Sequence, residues 1–137
     1  ASFVSAPLVL VDTSAWIRVF RGETKGLSDV LEKLILANTA AFCPQTYAEY
    51  LGGFKKQTLF QELTRQVESF PFLDTTLEAA RTAARLMSHV KGLGSGDALI
   101  AATAMVHQAE LLTFDHGFAP LSRYGLVFHE ASRLQRA

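Results

Sequence analysis

The sequence predicts an α/β fold: a three-layer α/β/α sandwich around a central parallel sheet of four to five strands. Two observations predict it. Short apolar runs alternate with stretches whose apolar residues recur at helical spacing, and no tight hairpin signal joins one run to the next. The runs are apolar at successive positions and stop abruptly at polar residues, as strands buried on both faces do. At 137 residues the chain forms one domain, 1–137, and buries enough surface for a single core without staples.

Leu8-Val9-Leu10-Val11 reads as the first strand, ending in Asp12-Thr13-Ser14, and Trp16, Ile17, Val19 and Phe20 continue as a helix. A polar break over Arg21–Gly26 precedes Leu27, Val30, Leu31, Leu34 and Ile35, the apolar stripe of a second helix. Ala40–Cys43 is a second strand, stopped by Pro44. Thr46 caps a short helix over Tyr47–Leu51, closed by Gly52-Gly53. Leu59, Phe60, Leu63, Val67 and Phe70 mark another amphipathic helix. Pro71–Asp74 is a weak strand, placed at an edge because proline lacks an N–H.

Leu77, Ala80, Ala84, Met87 and Val90 stripe the next helix. Its other face carries Arg81, Arg85 and His89, either a solvated charged face or a basic stripe for phosphates. Gly94-Ser95-Gly96 then breaks the chain. Ser95 caps a helix that is apolar on nearly every side through Val106, with Asp97 in its first turn. Such a helix belongs inside a protein, and its alanines let it lie close to a sheet. Leu111–Phe114 is a strand with Asp115 just past its end, and Leu126–Phe128 a short last strand. Ala131–Ala137 forms a polar, basic tail.

Composition narrows the function classes. Hydrophobic content of 49% suits a compact globule, and no apolar run is long enough for a membrane span. The N-terminus lacks a secretory signal pattern. Cys43 is the single cysteine, which fits a reducing cytoplasm and excludes an internal disulfide or a cysteine zinc site. Thirteen basic residues balance thirteen acidic ones, so nucleic-acid binding would come from a local patch rather than bulk charge. There is no phosphate-cradling glycine loop followed by Lys-Ser/Thr, no HExxH zinc spacing among the four histidines and no GxSxG nucleophile elbow.

Four acids remain. Each has an ordinary structural account: Asp12 as a helix cap, Glu49 as a solvated helix residue, Asp97 as a partner of the helix dipole, Asp115 as a turn former. In an open parallel sheet, ligands bind beyond the carboxyl ends of the strands, at the point where strand order reverses. Asp12 and Asp115 fall at strand ends, Glu49 near a third, and Asp97 at the mouth of the buried helix. Their shared rim is harder to explain by four separate accounts. Clustered carboxylates repel unless a cation joins them, and hard oxygen donors suit Mg²⁺ or Mn²⁺. A divalent metal among carboxylates fits phosphodiester hydrolysis. The hydroxyls of Thr13, Ser14 and Thr113 stand ready to support the site.

The segments Leu10–Ser14, Tyr47–Tyr50, Gly96–Ala104 and Leu112–Phe118 together resemble a PIN domain, and among PIN domains the VapC-type toxins of prokaryotic toxin–antitoxin pairs. The likeness runs through nearly the whole chain in order and spacing. It implies a PIN-like fold and a Mg²⁺- or Mn²⁺-dependent endoribonuclease. Asp12, Glu49, Asp97 and Asp115 match the family's catalytic acids, with Asp12, Asp97 and Asp115 as metal ligands. It also implies a homodimer held inactive by a cognate antitoxin. The apolar part of the Leu27–Ile35 helix and Tyr47–Phe54 are the candidate antitoxin contacts. Substrate choice would rest on loop shape and on basic residues such as Arg18, Arg21, Lys55 and Arg123. The alternatives are a housekeeping RNA-processing PIN nuclease and a non-catalytic module whose acidic pocket holds a partner's basic tail. A phospho-accepting receiver domain fits less well, because the first strand ends in Asp-Thr-Ser rather than an acidic pair and no lysine lies near Leu126–Phe128.

Overall fold

The computed structural model of the chain describes residues 7–23 and 25–132. Four strands, β1 (Val9–Val11), β2 (Ala40–Ala41), β3 (Glu110–Thr113) and β4 (Phe128–Glu130), form one sheet in the order β2-β1-β3-β4. Every pairing is parallel, with Leu10 opposite both Ala41 and Leu111. The chain steps from β1 to one side and returns to the other, so the order reverses at β1, as expected of a switch point.

Strand alternation decides what each layer covers. Leu10, Ala41 and Leu111 face one layer, built from α5 (Leu77–His89), α6 (Ser95–Val106) and a 3₁₀ segment (His116–Tyr124). Val9, Val11, Ala40, Phe42 and Leu112 face the other, built from α1 (Thr13–Phe20), α2 (Lys25–Leu36), α3 (Pro44–Gly52) and α4 (Gln57–Val67). The first layer is rich in small residues. Ala98, Ala101, Ala102 and Ala104 are all fully buried on α6, and Thr103 Oγ1 pins the helix to Thr75 Oγ1 at 2.8 Å. The second is aromatic: Trp16 stacks on Phe42 with centroids 4.7 Å apart, and Phe70 lies 5.5 Å from Trp16. Among the described residues no helix is long and apolar enough to cross a membrane.

Several boundaries differ from the sequence reading, each for a local reason. The helix at Tyr47–Leu51 starts earlier, at Pro44. Cys43 is its N-cap, and Thr46, instead of capping, accepts the Cys43 N–H at 2.9 Å. Proline suits the first helical position because its missing N–H has no helical partner to lose. Gly94, not Ser95, is the N-cap of α6. The weak strand at Pro71–Asp74 shrinks to a single bridge between Phe72 and Phe42, with Leu73 N–H donating to Phe42 O at 2.8 Å. The last strand begins at Phe128 rather than Leu126. Gly125, at φ 108°, turns the chain out of the 3₁₀ segment, and Leu126 goes into the core. Ala131 is fully buried in the aromatic layer. The rest of the expected tail, 133–137, lies outside the described residues.

Candidate active site

β1 delivers Asp12 to the rim. Its backbone N–H still donates to Leu112 O of β3 at 2.8 Å, so the residue is fixed by the sheet although the strand has ended. Its carboxylate makes no cap bond to α1. Instead Oδ2 accepts from Thr113 Oγ1 at 2.8 Å and Ser14 Oγ at 2.9 Å. These hydroxyls are themselves held: Asp115 N–H donates to Thr113 Oγ1 at 2.9 Å and Phe114 N–H to Ser14 Oγ at 3.2 Å. Two neighbouring strand ends are thus stitched through one carboxylate. Asp12 is only 7% exposed, and burial raises its carboxyl above the usual carboxylate range against the opposing pull of Thr113 and Ser14.

Asp97 arrives by another route. It lies in the first turn of α6, where the buried alanine face fixes the helix axis. Burial raises its carboxyl, and the charges of Asp115, Asp12 and Glu49 raise it further. Three carboxylates from three other elements therefore reach it electrostatically. Among the described residues, no donor hydrogen-bonds the Asp97 carboxylate.

Glu49 is exposed on α3 but not loose. Thr13 Oγ1 donates to Oε1 at 2.9 Å and Gln45 Nε2 to Oε2 at 3.0 Å. A Cβ at Gly96 would sit 3.2 Å from Gln45 Nε2, so glycine lets the start of α6 close on α3 at this point. Asp115 is exposed and forms a turn, its Oδ1 accepting Gly117 N–H at 2.8 Å. Gly117 matters here because a Cβ would stand 2.9 Å from that oxygen.

The sheet thus gathers Asp12, Glu49, Asp97 and Asp115 at its carboxyl rim. Gln45 was not singled out from the sequence, although it stands one helical turn before Glu49, a spacing that pairs side chains. Thr13, Ser14 and Thr113 serve the acids directly. The basic stripe goes elsewhere. Arg85 and His89 border a pocket with Met105 and Tyr124 that none of the four acids lines.

The donor set is hard oxygen with no sulfur or histidine, which suits Mg²⁺ or Mn²⁺ rather than zinc. Among the described residues, no three or more His, Cys, Asp or Glu side chains form a ready-made ligand cage. An open arrangement fits Mg²⁺, which takes one or two carboxylates and keeps several waters. Asp97, part-buried among like charges with no protein donor, is where a cation would relieve the most repulsion.

On the opposite side of α1 lies an apolar groove of about 380 Å³, lined among others by Trp16, Phe20, Ile35, Tyr50, Leu63 and Phe70. It takes in the end of the Leu27–Ile35 helix and part of Tyr47–Phe54.

A model of the PIN domain matches residues 9–123 of the chain. Ribonuclease VapC11 of Mycobacterium tuberculosis is 31% identical, the match covering 85% of this chain and 92% of the relative. VapC ribonuclease Mb1587 of Mycobacterium bovis shares the same figures: 31% identity, 85% and 92%. Among solved structures, a toxin–antitoxin complex from Klebsiella pneumoniae is similar at a TM-score of 0.71 and 28% identity, covering 81% of this chain and 90% of that one. VapBC2 from Rickettsia felis, bound to a DNA fragment from its promoter, shares the fold at a TM-score of 0.72 and 20% identity, covering 89% and 97%.

Proposed function

The chain belongs to the PIN-domain family and, within it, to the VapC ribonucleases, and from that premise we propose that it is a divalent-metal-dependent endoribonuclease acting as the toxin of a type II toxin–antitoxin pair. The observation that carries this reading is the arrival of Asp12, Glu49, Asp97 and Asp115 at one rim from separate elements, close enough for the other three to raise the carboxyl of Asp97.

The reaction is phosphodiester hydrolysis: water adds to phosphorus, one P–O bond breaks, and the leaving oxygen takes a proton. Asp12, Asp97 and Asp115 would hold Mg²⁺ or Mn²⁺, which supplies charge neutralisation at the scissile phosphate and lowers the pKa of bound water. The chain's own residues do the rest. Thr113 and Ser14 fix the rotamer of Asp12. Thr13 and Gln45 each engage one oxygen of Glu49, leaving lone pairs that suit it to accept the proton of the attacking water. The turn at Gly117 aims Asp115.

An antitoxin segment fits the apolar groove beside α1, where an apolar stretch would bury against Trp16, Tyr50 and Phe70. The toxin would work in the cytoplasm as a homodimer, which sedimentation of the purified chain checks. The decisive experiment is RNA cleavage by the purified chain with added Mg²⁺ or Mn²⁺. Chelation should stop it, and Asp12→Asn and Asp97→Asn should each reduce it by about a thousand-fold while leaving the circular dichroism spectrum unchanged. Full cleavage by both variants would overturn the reading.

A further inference from the structure

Four acids at one rim repel the RNA they are to cut, and the chain has no net positive charge to offset them. A local cation must receive the strand. Arg18 is placed for this. It sits on α1 one helical turn after Ser14, so both project from the same face. Ser14 accepts the Phe114 N–H, and the Arg18 guanidinium lies over the Phe114 ring, 4.3 Å from its centroid. Phe114 is flanked by Thr113, which donates to Asp12, and by Asp115 itself. The guanidinium is thereby fixed over the residue that joins two parts of the acidic rim.

Among the described residues no carboxylate pairs with Arg18; the ring is its partner. The contact with the ring reduces the freedom of the guanidinium and forms no hydrogen bond with it, so N–H groups remain for a planar, bidentate anion. An exposed arginine held by the ring next to Asp115, with no carboxylate pairing it among the described residues, keeps its charge for an incoming group.

The geometry points to Arg18, seated on Phe114, as the substrate-binding residue that receives a backbone phosphate of the RNA strand beside the cut. This assignment rests on the ribonuclease reading and adds to it a cation of the chain's own on the substrate side, apart from the metal at the cut. Arg18 is a binding residue in this scheme; bond breaking stays with the acids.

The test uses the Asp97→Asn chain, so that the strand is held and not consumed, and a fluorescein-labelled single-stranded RNA oligonucleotide of mixed sequence. Binding is followed by anisotropy over a series of KCl concentrations. Adding Arg18→Ala should weaken binding about five-fold at low salt and lower the slope of log K against log salt by about 0.7, the value for one phosphate contact on a single strand. Arg18→Lys should restore the slope and part of the affinity, because it keeps the charge and loses the fork. A destabilised fold would not change the salt slope by one phosphate and recover it with lysine. Equal affinity and slope for Arg18→Ala overturn the proposal. So does an unchanged RNA slope combined with a weakened grip on an acidic peptide, which would assign Arg18 to a protein partner. Parallel cleavage by the unsubstituted chain with Mn²⁺ separates the two levels. Cleavage with an indifferent Arg18 sinks this inference alone, whereas neither cleavage nor binding sinks the ribonuclease reading with it.

Discussion

Asp12 and Asp97 meet at the same rim, and burial raises both carboxyls, yet they are mounted in opposite ways. Asp12 ends a central strand and is satisfied from within: two hydroxyls donate to one oxygen, and the sheet holds its backbone. Asp97 opens an alanine-rich helix and has a rigid base with no donor at its tip. The first region spends polar partners to fix a charge in place. The second fixes the position and, among the described residues, gives the charge no hydrogen-bond donor. The difference separates the two requirements of a metal-assisted site: geometry supplied by the protein and a partner supplied from outside.

The largest expected effect removes either charge. Asp12→Asn and Asp97→Asn should each cut RNA cleavage by about a thousand-fold, since metal assistance is worth several kcal/mol of transition-state stabilisation. The comparison sharpens in their melting curves without metal. Asp97→Asn removes an unpaired charge from a repelling group and should raise the melting temperature. Asp12→Asn, whose remaining oxygen still accepts the hydroxyls, should change it less. If Asp97→Asn lowers the melting temperature, the contrast fails.

Next is the support of Asp12. Thr113 is fully buried, and Thr113→Val removes its donor at nearly constant volume. The carboxylate is left with one hydroxyl, at a cost of about 1–3 kcal/mol in stability. Loss of a side chain that orients a ligand typically lowers activity about 10–100-fold, measurable as cleavage rate at saturating Mn²⁺. No equivalent substitution exists beside Asp97, which is the comparison in another form.

The pH dependence of stability is smaller. Folding raises both carboxyls above their ordinary value of 3.8, so just above that value the native chain holds more protons than the unfolded one. Stability of the metal-free chain therefore falls as pH rises through the native pKa values, and the loss persists at neutral pH. Melts across the acid range should show this decline, and Asp97→Asn or added Mn²⁺ should flatten it. The smallest effect is at Asp115. Gly117→Ala brings a Cβ to 2.9 Å of Oδ1, which an exposed carboxylate escapes by rotating out of its turn. A loss of about three-fold in cleavage, with little change in melting, is expected, because only the aim of one exposed acid is altered.

The asymmetry also explains what could be read from the chain alone. Asp97 was conspicuous because an acid at the head of an almost wholly apolar helix is a compositional anomaly. Asp12 was visible because a buried parallel strand has to stop at a polar residue. The parallel sheet followed from the alternation of elements, whereas the order β2-β1-β3-β4 did not. The supporting contacts were less visible. Thr113 and Ser14 are 99 residues apart in sequence and meet only because β1 and β3 are neighbours. Gln45 lies on the same helix as Glu49, but its approach to Gly96 depends on how closely α3 meets α6. The pairing of Arg18 with Phe114 needs the rotation of α1 about its axis, which hydrophobic spacing constrains only to within a residue or so. Boundaries moved where a single backbone feature overrode the pattern, as Gly125 did for the last strand.

Trp16 is the only tryptophan in the chain. It lines the apolar groove, in a cluster with Phe42 and Phe70 in which all three rings stack on one another, and its indole Nε1 is buried without a hydrogen-bond partner among the described residues. The molecule therefore carries one unmixed optical reporter in the buried wall of the groove where a partner would dock. A side chain that displaced water from the groove would change the colour or yield of a single indole's emission. Occupancy of the groove can thus be followed by intrinsic fluorescence, without a label, while cleavage is measured on the other side of α1.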